Sequence, residues 1–220
     1  MSAAIEREFK LRIPSEDALA RLCAELGGAA AAPVLQVNHF FDTPGRDLGR
    51  ARLALRLREE AGAAALALKG PALERRGALT SRTELELALD PERARAILAG
   101  TRSPLDALRA SAHAATQLVQ QAASAVGAAR LQRLGAFENE RQRVGPVAFA
   151  GARALVFELD RTRFPGGAVE LELEVELGPD ADAPAVERGL AALFARLGLA
   201  LETAPSKAAR FLRHLDSARS

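Results

Sequence analysis

Ile5-Glu6-Arg7-Glu8-Phe9-Lys10-Leu11, with Ile13 beyond it, is the stretch on which the fold turns. In a strand, alternate residues share a face, so Glu6, Glu8 and Lys10 line one wall while Phe9, Leu11 and Ile13 line the other. Two carboxylates and an ammonium on one wall suit a divalent cation held beside an anion. A half-exposed strand can also carry charges on its wet face, so the pattern gains meaning only by repetition.

It does repeat. Leu53 to Arg58 alternates leucine with Arg56 and Arg58, and Ala65 to Lys69 follows as a hairpin partner. Arg82, Glu84 and Glu86 alternate with Thr83, Leu85 and Leu87. Farther on come Arg141 and Arg143 in Phe137 to Val144, then Glu158 and Asp160 in Leu155 to Arg161. Val169 to Leu177 carries Glu170, Glu172, Glu174 and Glu176 on one side. Same-face neighbours lie ~7 Å apart, so each contact in that glutamate row costs about 2 kcal/mol at an effective dielectric near 20. Water would shrink the cost, whereas a closed interior would require arginines or a metal ion against the row.

The other elements are legible from caps and stripes. Ser15 caps a helix with Glu16 and Asp17 in its first turn and Leu19, Leu22, Cys23 and Leu26 as its stripe, closed by Gly27-Gly28. Val34 to Asp42 reads as a strand ending at the turn Thr43-Pro44-Gly45. Asp90-Pro91 opens a short helix closing near Gly100, and Pro104 to about Leu134 continues a helical pattern. Val147 to Ala150 reads as a separate strand, and Gly166-Gly167 as a turn. Asp182 caps a helix carrying Val186, Leu190, Leu193, Phe194 and Leu197. The last helix follows Pro205-Ser206 with Ala208, Phe211, Leu212 and Leu215 as its stripe. Many antiparallel strands with helices between and after them make an α+β chain. Its length of 220 residues fits a single domain over 1–220, with a helical insert at about 91–134 and a C-terminal helix at about 206–217.

Composition narrows the chemistry. Net charge is +2, so no global field points to nucleic acid or a membrane surface. Acids on the same faces as the arginines would also repel a phosphodiester backbone, and stacking aromatics are few. Cys23 is the single cysteine, which excludes an internal disulfide and a thiolate cage. Charge from Glu6 onward does not fit a secretory leader, and no apolar run reaches the ~20 residues of a spanning helix, so a cytoplasmic protein is expected. His39 reads as turn-adjacent packing and His214 as helix surface, neither with a role. No nucleophile triad and no phosphate-binding GxxxxGK[ST] loop is present. Arginine and lysine fit phosphate oxygens, and carboxylates without thiols or clustered histidines select hard cations such as Mg²⁺ or Mn²⁺. Charged faces turned into a closed barrel would then suit a metal-bridged polyphosphate.

Glu6-x-Glu8-x-Lys10 resembles the ExExK signature of CYTH domains, the triphosphate tunnel metalloenzymes. Phe40-Phe41-Asp42-Thr43-Pro44, Arg56-Leu57-Arg58, Lys69 and Arg82-Thr83-Glu84 fall in the family's order. So do Arg141, Asp160, the Glu170 to Glu174 strand and Ser206-Lys207-Ala208-Ala209-Arg210. The resemblance implies a closed eight-stranded antiparallel β-barrel, the triphosphate tunnel, with surrounding helices. It implies phosphate binding by Lys10, Arg56, Arg58, Lys69, Arg82, Arg141, Arg143, Lys207 and Arg210. It implies one or two divalent ions, Mg²⁺ or Mn²⁺, held among Glu6, Glu8, Asp160, Glu170, Glu172 and Glu174, with the catalytic set Glu6, Glu8, Lys10, Asp160, Glu170 and Glu172. In the family's hydrolases one metal seats the triphosphate and the second positions the attacking water.

Among the family's activities, the helical insert, the Ser-Lys-Ala-Ala-Arg ending and the lack of Trp and Tyr point to hydrolysis of inorganic triphosphate to pyrophosphate and phosphate. The alternatives are a class IV-type adenylate cyclase, a thiamine triphosphatase and a non-catalytic polyphosphate-binding module. The expected partner is a small-molecule polyphosphate, with no nucleic acid and no membrane, and a homodimer is compatible with the chain. In a chain that otherwise uses arginine, lysine stands only at Lys10, Lys69 and Lys207, all three at positions where the family has one.

Overall fold

In the computed structural model, which describes residues 4–113 and 116–218, eight strands close into an antiparallel barrel. Residues 114–115 of the helical insert lie outside that range. The strands are β1 (Ala4–Ile13), β2 (Val34–Asp42), β3 (Ala54–Glu60), β4 (Ala63–Arg76), β5 (Leu79–Leu89), β6 (Gln132–Phe149), β7 (Ala152–Arg163) and β8 (Val169–Glu176). The order around the barrel is β1-β5-β4-β3-β2-β6-β7-β8, so β1 closes it against β8. The helices are α1 (Glu16–Leu26), α2 (Asp47–Arg50), α3 (Pro91–Leu98), α4 (Pro104–Arg109), α5 (Gln117–Val126), α6 (Ala183–Arg196) and α7 (Lys207–Ser217). None of the described helices is long and apolar enough to cross a membrane.

The chain divides into two compact units, each with its own core. The first holds Gln36–Leu73 and Arg82–Glu138 with Ala4 and Ile5. There Leu55, Leu57, Leu66, Leu68 and Leu85 pack against Leu48 of α2, Ile97 of α3, Leu105 and Leu108 of α4, and Leu118, Val119 and Ala122 of α5. The second holds Glu6–Leu35, Glu74–Ser81 and the chain from Asn139 onward. There Phe9, Leu11, Phe157, Leu159, Leu173 and Val175 pack against Leu22 of α1 and against Val186, Leu190, Leu193 and Phe194 of α6. Each such Leu, Ile, Val or Phe side chain contributes about 1.5–3 kcal/mol when sealed from water. In both units helices cover the apolar strand face. An eight-stranded barrel is wide enough for side chains or one small ligand but not for a helix. The helix-covered face is therefore the outer one, and the charged face of each unit turns inward.

Local chemistry sets most boundaries. Ser15 Oγ accepts from the Ala18 amide at 3.2 Å, and Gly27 closes α1 at φ 64°, a left-handed conformation that favours glycine. Asp90, Asp182 and Ser206 cap α3, α6 and α7. The short α2 has no apolar periodicity and no place in the sequence reading. Asp42 anchors it, accepting from the amides of Thr43 (2.7 Å), Leu48 (2.9 Å) and Gly49 (2.9 Å).

Three sequence boundaries shift. β4 runs Ala63–Arg76, well beyond Ala65–Lys69. The helical pattern expected to reach Leu134 stops at Val126, and β6 already begins at Gln132. β6 also continues to Phe149 as one strand through Gly145-Pro146, so Val147 to Ala150 is not a separate element. Short alternation over Ala- and Gln-rich residues carries too little hydrophobic contrast to mark where a helix yields to a strand.

Candidate active site

The centre of the second unit's charged face is sealed from water. Glu8 is 4% exposed, Asp160 and Glu172 are 0%, and Glu174 is 7%. A solvated strand face is excluded at these positions. Of the glutamate row, Glu172 and Glu174 are buried, Glu170 is half-buried and Glu176 is exposed.

Strand register explains how the charges meet. β8 sets Glu172 opposite Asp160 of β7, and sets Glu174 opposite Glu158 of β7 and Lys10 of β1. Like charges directly opposite destabilise a sheet, so Asp160 and Glu172 need cations. β1, β6 and α7 supply them. Lys10 Nζ lies 2.5 Å from Glu174 and 2.9 Å from Glu8. Arg141 of β6 grips Asp160 with Nε (2.8 Å) and Nη2 (2.6 Å), reaches Glu174 at 2.5 Å, and pairs with Glu158. Lys207 Nζ lies 2.6 Å from Asp160 and 3.1 Å from Glu174 and also pairs with Glu172. Arg210 pairs with Glu172 and, at 2.9 Å, with Glu170.

The position of α7 follows from these pairs. Its buried residues are Lys207, Arg210, Phe211 and Leu215, a face rotated from the expected apolar stripe through Ala208 and Leu212. Lys207, Arg210, Phe211 and His214 fall at helical spacings that share one side. Ion pairing to buried carboxylates, rather than hydrophobic period, decides which side packs inward.

The electrostatics follow the geometry. Burial opposes ionisation of Asp160, but Lys207 and Arg141 outweigh it and hold the carboxyl well below the usual range. Burial also opposes the Arg141 charge, yet Asp160 and Glu174 hold that guanidinium well above its ordinary value. Burial pushes the Lys207 ammonium well below the lysine range; Asp160 opposes the shift, while Arg141 and Lys10 add to it.

Asp160, Glu172 and Glu174 each offer a carboxylate oxygen, and these oxygens all lie within 4.8 Å of one another. An all-oxygen, anionic, buried set of this kind fits a hard divalent ion such as Mg²⁺ or Mn²⁺. Other residues singled out in the sequence lie around this triad. Glu8 is paired to Lys10, and Glu6 sits half-buried on β1 outside the group. Glu170 turns to Arg210 and to His214 Nε2 at 2.8 Å. Arg143 pairs with Glu158 at 3.0 Å.

His214 is half-buried, paired to Glu170, with its ring stacked 4.9 Å from Phe164; it is not a free helix-surface residue. His39 lies buried inside β2 rather than beside a turn, with Nε2 2.9 Å from Glu59. Sequence reasoning also passed over Asn139, which donates to Asp160 at 3.0 Å, and Thr162, which donates to Asn139 at 2.7 Å. Both continue an alternation already in view, Asn139 before Arg141 and Thr162 after Asp160, but carry no charge to draw notice.

The inward face of the first unit is more open. Arg56, Arg58, Lys69 and Arg82 stand half-buried on β3, β4 and β5. Lys69 pairs with Glu84 at 2.9 Å, Arg58 with Glu86 at 3.1 Å, and Gln36 donates to Glu60 at 2.7 Å. Phe40 and Phe137 pack ring to ring with centroids 5.6 Å apart.

Comparison with known proteins agrees with this geometry. HpAC1 of Hippeastrum, described as an adenylyl cyclase candidate with a dominant triphosphatase activity, is 27% identical with a TM-score of 0.77, over 94% of this chain and 95% of that one. A Bacillus halodurans protein described as an adenylate cyclase candidate shares the fold at TM-score 0.67 and 21% identity, over 96% and 99% of the two chains. PH1819 of Pyrococcus horikoshii shares it at TM-score 0.59 and 18% identity, over 94% and 98%. No curated protein matches the chain by sequence. The CYTH domain model matches residues 4–212, and with the closed barrel and its inward charges already established, the chain belongs to the CYTH domain family.

Proposed function

We propose that the protein is a divalent-metal-dependent hydrolase of inorganic triphosphate, releasing pyrophosphate and phosphate. The observation that carries this reading is the sealed triad Asp160, Glu172 and Glu174 among the cations Lys10, Arg141 and Lys207. Carboxylates at this density bind a hard cation, and cations in their midst bind the anion that the metal bridges. When bound, Mg²⁺ or Mn²⁺ supplies Lewis-acid neutralisation of phosphate charge. Asp160, Glu172 and Glu174 would hold it, with Glu6 and Glu8 added by the family pattern. Lys10, Arg141 and Lys207 would hold phosphate oxygens, together with Arg56, Arg58, Lys69 and Arg82. Arg210 and Arg143 are engaged with Glu170, Glu172 and Glu158, which suits them to orienting carboxylates as well as to binding phosphate. The family relationship supports a triphosphate-processing enzyme, and HpAC1's described triphosphatase activity supports hydrolysis over cyclisation.

A second reading has one observation in its favour. Phe40 and Phe137 form a ring pair in the first unit, where an organic group of a triphosphate such as ATP or thiamine triphosphate could stack. The deciding experiment is phosphate release from inorganic triphosphate, thiamine triphosphate, ATP and longer polyphosphate, with Mg²⁺ and Mn²⁺ in turn. Faster turnover of inorganic triphosphate is expected. Equal or faster turnover of a nucleotide overturns the substrate assignment, and cyclic AMP formed from ATP replaces it with a cyclase. Triphosphate binding that survives Glu172→Gln in a parent without turnover marks a binding module.

A further inference from the structure

Of the buried polar side chains described on β6 and β7, Asn139 and Thr162 are uncharged, 1% and 0% exposed. They connect in one direction. The Thr162 hydroxyl donates to Asn139 Oδ1 at 2.7 Å, and Asn139 Nδ2 donates to Asp160 Oδ1 at 3.0 Å. The acceptor-only carboxylate fixes the amide's orientation, with NH₂ toward Asp160, and the Thr162 hydroxyl then donates to the amide oxygen behind it. Donation into the amide also polarises it toward the carboxylate.

The terminal torsion of an aspartate is soft, so its carboxylate turns unless its oxygens are held. Asp160 Oδ2 faces Arg141 and Lys207, the groups proposed here to engage phosphate. Oδ1 is held by Arg141 Nε and Asn139. The Asn139 contact is therefore a neutral hold on Asp160 that does not depend on a phosphate-binding cation.

We infer that Thr162 and Asn139 form a positioning relay that sets the plane of the Asp160 carboxylate for a divalent ion. The inference rests on the proposed metal-dependent reading and adds two residues to it. Partners of this kind behind a ligating side chain are worth about 10–100-fold in metal affinity.

The test is Mn²⁺ binding without substrate, followed by the electron paramagnetic resonance signal of the free ion, for wild type, Thr162→Val, Thr162→Ser and Asn139→Ala. Thr162→Val keeps shape and removes the donor, and its Kd is expected to rise about 10-fold, with Asn139→Ala nearer about 100-fold. Thr162→Ser, which restores the hydroxyl, is expected to return the wild-type Kd. In hydrolysis assays the Mn²⁺ requirement should rise in parallel while kcat at saturating metal is retained. A Thr162→Val protein that melts cooperatively and binds Mn²⁺ with the wild-type Kd overturns the relay. So does failure of both Thr162→Val and Asn139→Ala to fold, which assigns the pair to structure alone. Wild type that binds no Mn²⁺ removes the metal site itself, and the proposed function with it.

Discussion

Both units carry a charged strand face opposite a helix-covered one, yet the two faces differ in what surrounds the charges. In the second unit Asp160, Glu172, Glu174, Lys10, Arg141 and Lys207 are all at most 11% exposed by side chain, and each has several partners. In the first, the pairs are wetter: Lys69–Glu84 at 18% and 17%, Arg58–Glu86 at 22% and 47%. A sealed network holds its members in fixed geometry and makes the loss of one costly. A half-open set of paired guanidinium and ammonium groups costs less to rearrange around an incoming anion. Under the proposed function, the sealed face is the metal pole, which also carries Lys10, Arg141 and Lys207 for phosphate, while the half-open face offers further cations that adjust more cheaply.

The largest effect should follow from emptying the sealed network. Asp160→Ala leaves Arg141 and Lys207 without their main counter-charge, and breaking a buried pair of this kind costs about 3–5 kcal/mol. Chemical denaturation is expected to show that loss, together with loss of Mn²⁺ binding and of hydrolysis. Retained stability would mean that the network is not the structural centre of its unit.

Acid should separate the units in the same direction. The Asp160 carboxyl is held below its unfolded value, so it contributes stability that is present above about pH 4 and lost as pH falls toward its folded value. Glu170, lowered against the opposing effect of burial by hydrogen bonds from His214 and Arg210, acts with the same sign. Melting temperature is expected to hold from pH 7 to about pH 4 and to fall below that, with a flatter profile for Asp160→Asn. Identical melts of the wild type at pH 7 and pH 2.5 would remove the network's claim to stability.

Lys69→Ala, in the half-open face, should do the reverse of Asp160→Ala. An exposed or half-exposed pair contributes about 0–1 kcal/mol, so the melt should barely move. A charged hydrogen bond to substrate is worth about 1.5–3 kcal/mol, which predicts a KM for triphosphate raised about 10–100-fold. A stability loss as large as that of Asp160→Ala, with KM unchanged, would erase the distinction between the faces.

How much of this was written in the chain depends on charge. The alternation through Glu6, Glu8 and Lys10, repeated at Arg56, Arg82, Arg141, Asp160 and the glutamate row, marked strands with charges on one face; the family resemblance implied that they close into a barrel, and the barrel is there. The row could not show which of its glutamates meet Asp160, because alternation leaves register open, and pairing to β1 and β7 decides it. Asn139 and Thr162 kept the alternation but not the charge, and so went unseen. α7 misled in the opposite way. Its apolar stripe is real in Phe211 and Leu215, but a buried lysine and arginine pull the helix round, and no hydrophobic period encodes a salt bridge to a distant strand.

The smallest effect is reserved for the edge of the sealed face, where its order gives way to solvent. His214 is 23% exposed by side chain and shares Glu170, at 19%, with Arg210. Its ring lies on Phe164, and Arg210 lies 5.3 Å above the same ring. His214→Ala removes one hydrogen bond from a carboxylate that keeps another, so the expected stability loss is about 1 kcal/mol or less. Because Glu170 faces Arg210 and His214 rather than the triad, Mn²⁺ affinity should be unchanged. A His214→Ala protein that loses Mn²⁺ affinity would show that Glu170 belongs with Asp160, Glu172 and Glu174, and that the metal pole extends one residue pair farther along β8 than the burial boundary marks.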